Sequence, residues 1–173
     1  MVHYAECAEC RRVTLLDYFG EDFSAENCGA CDNCLAPRAT FDGTLAAQKL
    51  LSCVYRIRQK SGFTTGLNHV VAVLTGSDSE KVRQWGHHEL STFGIGSEHS
   101  RNEWAAYARE LVRQGLLGQV QGNFPTLDLT PEGLNALRDR RKITLTKPRE
   151  AARPGTTRAG TVACDELLFE KLR

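Results

Sequence analysis

Three observations predict a mainly α chain with one small β-hairpin. Cysteines recur at two-residue gaps in Cys28-Gly29-Ala30-Cys31-Asp32-Asn33-Cys34, apolar residues recur at helical spacing through most of residues 44–114, and the period changes from 3.6 to 2 near Leu117. Thiolates at such gaps can face one tetrahedral metal, and the small residues between them let backbone amides turn towards the sulfurs. Three ligands leave a structural zinc site one short, so a fourth is expected upstream from Cys10 or Cys7. A redox Cys-x-x-Cys pair would leave the third cysteine surplus, and no secretory signal argues for disulfides. The order of elements reads as a winged helix-turn-helix preceded by a helical zinc-binding module. The expected boundaries are 1–36 for the module, 40–147 for the winged helix, and 148–173 for a linker and the start of a further helical domain.

Composition narrows the classes. The 173 residues are 41% hydrophobic and 25% charged, which suits a soluble globular protein. The 22 basic and 21 acidic side chains nearly cancel, so a nucleic-acid face must come from a local patch. No apolar run approaches the roughly 20 residues of a membrane span. No Gly-x-x-x-x-Gly-Lys-Ser/Thr loop is present, so this chain is not expected to hydrolyse ATP by itself. The sequence starts at once in helix-like residues and reads as a piece of something longer.

Residues 3–19 are expected to be one helix carrying Cys10, stopped by Gly20. Below about 40 residues an apolar core rarely suffices, so metal must substitute for the missing burial. Residues 35–43 read as a connector. Thr44 is a candidate cap for a helix in which Ala47, Leu50, Leu51, Val54 and Ile57 recur up to about Lys60. Further helices are expected at about Leu67–Leu74, from a Ser79 cap through Val82, Trp85 and Leu90, and at about Arg101–Gln114. Leu117–Gln121 and Thr126–Leu129 form a hairpin around Gly122-Asn123. Thr130-Pro131-Glu132 then starts a helix, as cap, first-turn proline and acid. Residues 148–163, rich in proline, glycine, threonine and arginine, read as a linker, and Cys164–Arg173 as the opening of another helix. Trp104, Tyr107 and Cys53 fall on apolar faces and are expected in the core, while the five histidines are read as surface or capping residues.

The best candidate for nucleic acid is Gly76-Ser77-Asp78-Ser79-Glu80-Lys81. A helix start offers free amides and a positive dipole end to a phosphate, and serine hydroxyls add donors. Arg83, with Ser100 and Arg101 at the next helix start, would extend the strip, while Asp78 and Glu80 weaken its potential.

Several segments together resemble the RecQ-family DNA helicases. They are Cys10 with Arg11-Arg12, Leu15–Glu21, the Cys28–Cys34 run, Gly76-Ser77, Gly86-His87, Phe93-Gly94-Ile95-Gly96, and Trp104 with Leu111 and Gly115-Leu116. The resemblance covers about residues 3–147 and implies the RQC region, a zinc-binding subdomain plus winged helix without the motor domains. It implies Cys10, Cys28, Cys31 and Cys34 as ligands of one structural zinc. ATP and Mg²⁺ would be used only by the missing motor domains of an ATP-dependent 3′-to-5′ helicase of repair, recombination and replication. Duplex and forked DNA would be gripped by backbone contacts at Ser77, Ser79 and Lys81, with Arg83 and Arg101 as the extension of the strip read from the residues above. Some relatives split the duplex with a long, aromatic-tipped hairpin; here the hairpin is short and Phe124, followed by Pro125, is the aromatic near its tip. The resemblance also implies a monomer in the bacterial cytoplasm, on the nucleoid. It suggests a pocket at Arg56 and Arg138 for the acidic tail of the single-stranded-DNA-binding protein. Without the resemblance, a zinc-containing winged-helix transcription regulator fits the same pattern, and a DNA-free interaction module is a third reading.

Overall fold

The structure is a computed structural model that describes residues 4, 7–120 and 125–148. Its elements are α1 (Arg11–Tyr18), α2 (Asp32–Leu35), β1 (Thr40–Asp42), α3 (Thr44–Ser61), α4 (Leu67–Leu74) and α5 (Glu80–Gln84). A 3-10 turn (His87–Glu89) follows, then α6 (Arg101–Arg113), β2 (Leu117–Val120), β3 (Thr126–Leu129), α7 (Pro131–Arg138) and β4 (Thr144–Thr146). Among the described residues no helix is long and apolar enough to cross a membrane. The expected Gly122-Asn123 turn, Phe124, and nearly all of the expected linker and last helix lie outside the described residues.

The winged helix is built on α3. Ala46, Ala47, Leu50, Leu51, Cys53, Val54 and Ile57 are its buried residues, and α4, α6, α7 and β3 pack onto it. Each large aliphatic side chain removed from water is worth about 1.5–3 kcal/mol, so this stripe outweighs any local preference. Gly62, at φ 75°, closes the helix in the left-handed conformation and donates its amide to the Arg58 carbonyl at 2.8 Å. Trp104 and Leu111 of α6 are fully buried in the same core. The Trp104 indole donates to the Gly96 carbonyl at 2.7 Å, which satisfies its buried N–H. Cys53 is fully buried, and burial pushes its thiol up to about 12, as befits a core thiol. In α7, Gly133 lies so close to the Leu116 carbonyl that a Cβ would collide with it.

Two antiparallel two-stranded sheets flank the helices. In the wing, Leu117 pairs with Leu129 and Val120 with Thr126. The base of the wing is tied to the α3–α4 loop: Leu127 donates its amide to Thr65 at 2.9 Å, and the Thr64 and Thr126 hydroxyls meet at 2.8 Å. The second sheet pairs Thr40, Phe41 and Asp42 with Thr146, Leu145 and Thr144. It corrects the reading of residues 35–43 as a plain connector. Its two strands are three residues each and about a hundred positions apart, so neither carries a period of its own.

Three further expectations are corrected. Among the described residues, the helix expected over 3–19 is present at Tyr4 and at Arg11–Tyr18 but is broken at residues 7–10, and Cys10 stands at the N-cap of α1 rather than inside a helix. At a helix start its sulfur can accept an amide, which an interior position denies it. Gly43, not Thr44, occupies the N-cap of α3. The Asp42 carboxylate caps instead, accepting from the Thr44 amide at 3.1 Å and its hydroxyl at 2.5 Å, while Thr44 Oγ1 accepts the Ile143 amide at 3.0 Å. The helix that Ser79 caps stops at Gln84, because Gly86 turns left-handed at φ 68° and starts the 3-10 turn before Leu90.

That turn docks through a pair of histidines, which corrects the reading of His87 as a surface or capping residue. His87 is fully buried, and its Nδ1 meets Nε2 of His69 on α4 at 2.7 Å. The Trp85 ring lies 4.8 Å from His69. Burial first, then the charges of His87 and Lys81, push the His69 imidazole down to about 4 from 6.5. His87 is lowered too, by burial and by Lys60. The unfolded chain therefore takes up protons that the fold refuses, so stability is complete above about pH 6.5 and falls as pH drops through that window towards 4. We expect the urea midpoint to decline from pH 7 to pH 5, and more shallowly in His69→Gln, where only His87 remains to titrate. Equal slopes in the two proteins would reject this origin.

Candidate functional site

Four sulfurs converge between α1 and α2. Those of Cys10, Cys28, Cys31 and Cys34 all lie within 4.8 Å of one another. Cys28 Sγ stands 3.9 Å from Cys34 Sγ, and Cys31 Sγ 3.3 Å from it. Thiolates about 2.3 Å from one tetrahedral centre stand roughly 3.8 Å apart, so the donor set fits a metal of that kind. The Cys28 amide donates to the Cys10 sulfur at 3.3 Å. Backbone amides, that of Val13 foremost, hold the Cys10 thiol down at about 6 against the opposing effect of burial. Cys31 is lowered as well, first by the backbone at Arg11. Cys34 moves the other way, up to about 11, chiefly through its hydrogen bond with the Cys31 sulfur and through burial. A cation at the centre would take over that proton's place. Cys7 is fully buried but outside the group: its sulfur sits 3.3 Å from the Tyr4 carbonyl and 3.7 Å from the Thr14 hydroxyl.

Two clamps hold the ligand loop, and sequence reasoning missed both. The Arg11 guanidinium takes the Asp32 carboxylate two-pronged, Nε to Oδ1 and Nη2 to Oδ2, each at 2.9 Å. The Asn33 amide is buried and donates to the carbonyls of Cys7 at 2.9 Å and Glu9 at 2.7 Å. Together they lock the strand bearing Cys10 against the turn bearing Cys31 and Cys34. The available signal was positional: a base directly after one ligand, and an acid and an amide filling the gap between two others.

The phosphate-strip candidates divide into pairs. Ser77 and Arg101, 24 residues apart, meet at 2.7 Å, with the Arg101 Nη2 donating to the Ser77 hydroxyl. The loop holding Ser77 is pinned beside Phe93-Gly94-Ile95-Gly96 by Gly94 donating to the Val73 carbonyl at 2.9 Å and Gly96 to that of Leu74 at 2.8 Å. Ser79 has a separate job: its hydroxyl accepts the Val82 amide at 3.4 Å and caps α5. Arg83 forks onto Asp78, and this pair borders a shallow surface cavity of about 440 Å³ shared with Gly76, His88 and Phe93. Lys81 is exposed, and its charge helps to lower the His69 imidazole. Arg56 on α3 and Arg138 at the end of α7 are both exposed, on helices that pack together. Phe124 lies outside the described residues.

Comparison with known proteins matches residues 1–35 to a family described as RecQ zinc-binding and residues 37–154 to the RQC domain. Over 98% of its length the chain is 36% identical to the ATP-dependent DNA helicase RecQ of Pasteurella multocida (strain Pm70) and 37% identical to that of Haemophilus influenzae (strain ATCC 51907 / DSM 11121 / KW20 / Rd). Over its full length it is 34% identical to the ATP-dependent DNA helicase RecQ of Bacillus subtilis (strain 168). It spans 27%, 28% and 27% of those three proteins, little more than a quarter of each.

Proposed function

The chain belongs to the RecQ family, as a RecQ zinc-binding domain followed by an RQC winged helix, and from that premise we propose that it is the duplex-engaging accessory region of an ATP-dependent 3′-to-5′ DNA helicase, held together in part by one structural zinc. Zinc is supported by four sulfurs at tetrahedral spacing with amides aimed at them. Cys10, Cys28, Cys31 and Cys34 would hold it. Four protein ligands leave no open position for a water, so the metal organises the module and does no chemistry.

The observation that carries the DNA reading is the Ser77–Arg101 contact. It brings a guanidinium and a hydroxyl together across 24 residues of sequence, which supports reading them as joint donors to one backbone phosphate. Lys81 adds positive charge nearby, and Arg83 would add more once released from Asp78. A helicase must accept every sequence, so such contacts should dominate over base reading, on duplex and forked substrates alike. ATP and Mg²⁺ belong to the motor portion of such a helicase. The reading places the protein as a monomer on the bacterial nucleoid, in repair, recombination and replication.

A second surface is favoured by α3 packing against α7 with Arg56 and Arg138 both exposed. An exposed guanidinium on each of two packed helices would suit an acidic peptide ending in an apolar side chain, such as the tail of the single-stranded-DNA-binding protein.

Freshly purified, unchelated protein is expected to contain one zinc per chain by metal analysis. Cys31→Ser should lose it and expose residues 7–35 to protease while leaving the Trp104 core folded, since structural zinc contributes on the order of 10 kcal/mol to a module of this kind. Zinc-free native protein would overturn the metal reading. Arg101→Ala and Lys81→Ala should each weaken duplex binding alike for all sequences and reduce the salt slope by about one; a changed sequence preference would argue for the regulator. Arg138→Ala should weaken binding of an acidic-tail peptide severalfold while sparing duplex binding, and undiminished peptide binding would reject the pocket.

A further inference from the structure

We infer that Asp78 is a built-in competitor for phosphate at Arg83, an acidic gate that limits how tightly this surface holds duplex DNA; the inference rests on the duplex reading above. The geometry is a fork on a fork. Asp78 Oδ1 accepts from Arg83 Nε at 2.5 Å and Oδ2 accepts from Nη2. This is the guanidinium edge that a backbone phosphate would take in the same two-pronged way. The carboxylate thus occupies the phosphate's seat.

Among the described residues Asp78 has no hydrogen-bond or ion-pair partner besides Arg83. The α5 cap is the Ser79 hydroxyl, and the Ser79 amide goes to the Ser77 carbonyl at 3.0 Å. Asp78 precedes the helix, so the pair is not the ordinary i, i+4 bridge of a helical face. Its carboxyl is held below the usual range first by the Arg83 hydrogen bond and then by the charges of Arg83 and His88. Both partners stay open to solvent, with side chains 68% and 52% exposed, so an incoming phosphate can displace the carboxylate without unfolding anything. On the same surface Arg101 meets a neutral hydroxyl. One arginine of the strip is therefore available to DNA at once, while the other must first give up an internal anion.

An exposed pair is weak, so the gate tunes affinity rather than abolishing it. Binding of a short random-sequence duplex, followed by fluorescence anisotropy across a salt series, reads it out. Asp78→Asn should bind about two- to fivefold tighter at low salt, with a salt slope steeper by about one. Glu80→Gln makes the same charge change two residues away and should gain less. In an Arg83→Ala background the gain from Asp78→Asn should vanish. Arg83→Ala alone should cost less affinity than Arg101→Ala, because its charge is already countered; this arm stands even if Asp78→Asn does not fold. Asp78→Asn binding no tighter than the parent, or an equal gain without Arg83, would overturn the gate while leaving the duplex reading intact. Absence of duplex binding by the parent protein at low salt would bring down the duplex reading, and the gate with it.

Discussion

Burial of one face of α3 is the interaction on which the winged helix depends. Seven of its residues are buried, and the helix that bears them touches α4, α6, α7 and β3. At one end of this helix the Asp42 cap and the β1–β4 sheet close the domain, with the Thr44 hydroxyl accepting the Ile143 amide. At the other end Gly62 turns the chain into the loop that anchors the wing. The loops of the proposed duplex surface thereby rest on this core. The Gly76–Ser79 loop leaves the end of α4, whose Val70, Val71, Val73 and Leu74 are buried against that core. Arg101 leaves the start of α6, fixed by a reciprocal Ser100–Glu103 capping box. Two loops remote in sequence meet because the helices behind them share one core.

The cysteine module obeys a different constraint. Helix α1 buries none of its residues, and Tyr18, Phe19 and Leu35 remain largely exposed. Apolar burial therefore contributes little, and order comes from polar devices: the Arg11–Asp32 fork, the Asn33 amide and the sulfurs themselves. Such an arrangement is what a small metal-dependent unit requires. Amide donors lower Cys10 and Cys31, so part of the cost of assembling anions is met by the backbone before a cation arrives.

Charge on the winged helix is balanced locally rather than pooled. Arg83 faces Asp78, Arg58 faces Asp128, Lys60 faces Glu89 and Lys49 faces Glu98. Among the described residues these four basic side chains are countered one by one, so under the duplex reading a phosphate contact at any of them competes with an internal carboxylate.

The sequence by itself determined the elements with a strong period or a strong stop. Leu67–Leu74, the Ser79 cap, the helix start at Ser100-Arg101, the two wing strands and the Thr130-Pro131 helix start all stand where their residues put them, because those signals are local. The spacing of Cys28, Cys31 and Cys34 likewise announced a metal loop before any fold was known. Only the tertiary structure decided what depends on distant partners. Residue spacing alone left Cys10 and Cys7 open and the family resemblance pointed to Cys10; the fold shows why, with Cys10 at a helix start facing Cys28 and Cys7 against Tyr4 and Thr14. It paired Thr40–Asp42 with Thr144–Thr146, which no period could reveal in three-residue strands. It joined Ser77 to Arg101 and set Asp78 against Arg83. Local propensity acts over a few residues of chain, whereas ligand geometry, sheet pairing and charge neutralisation are fixed by closure across tens of residues, and that closure is decided only when the core packs.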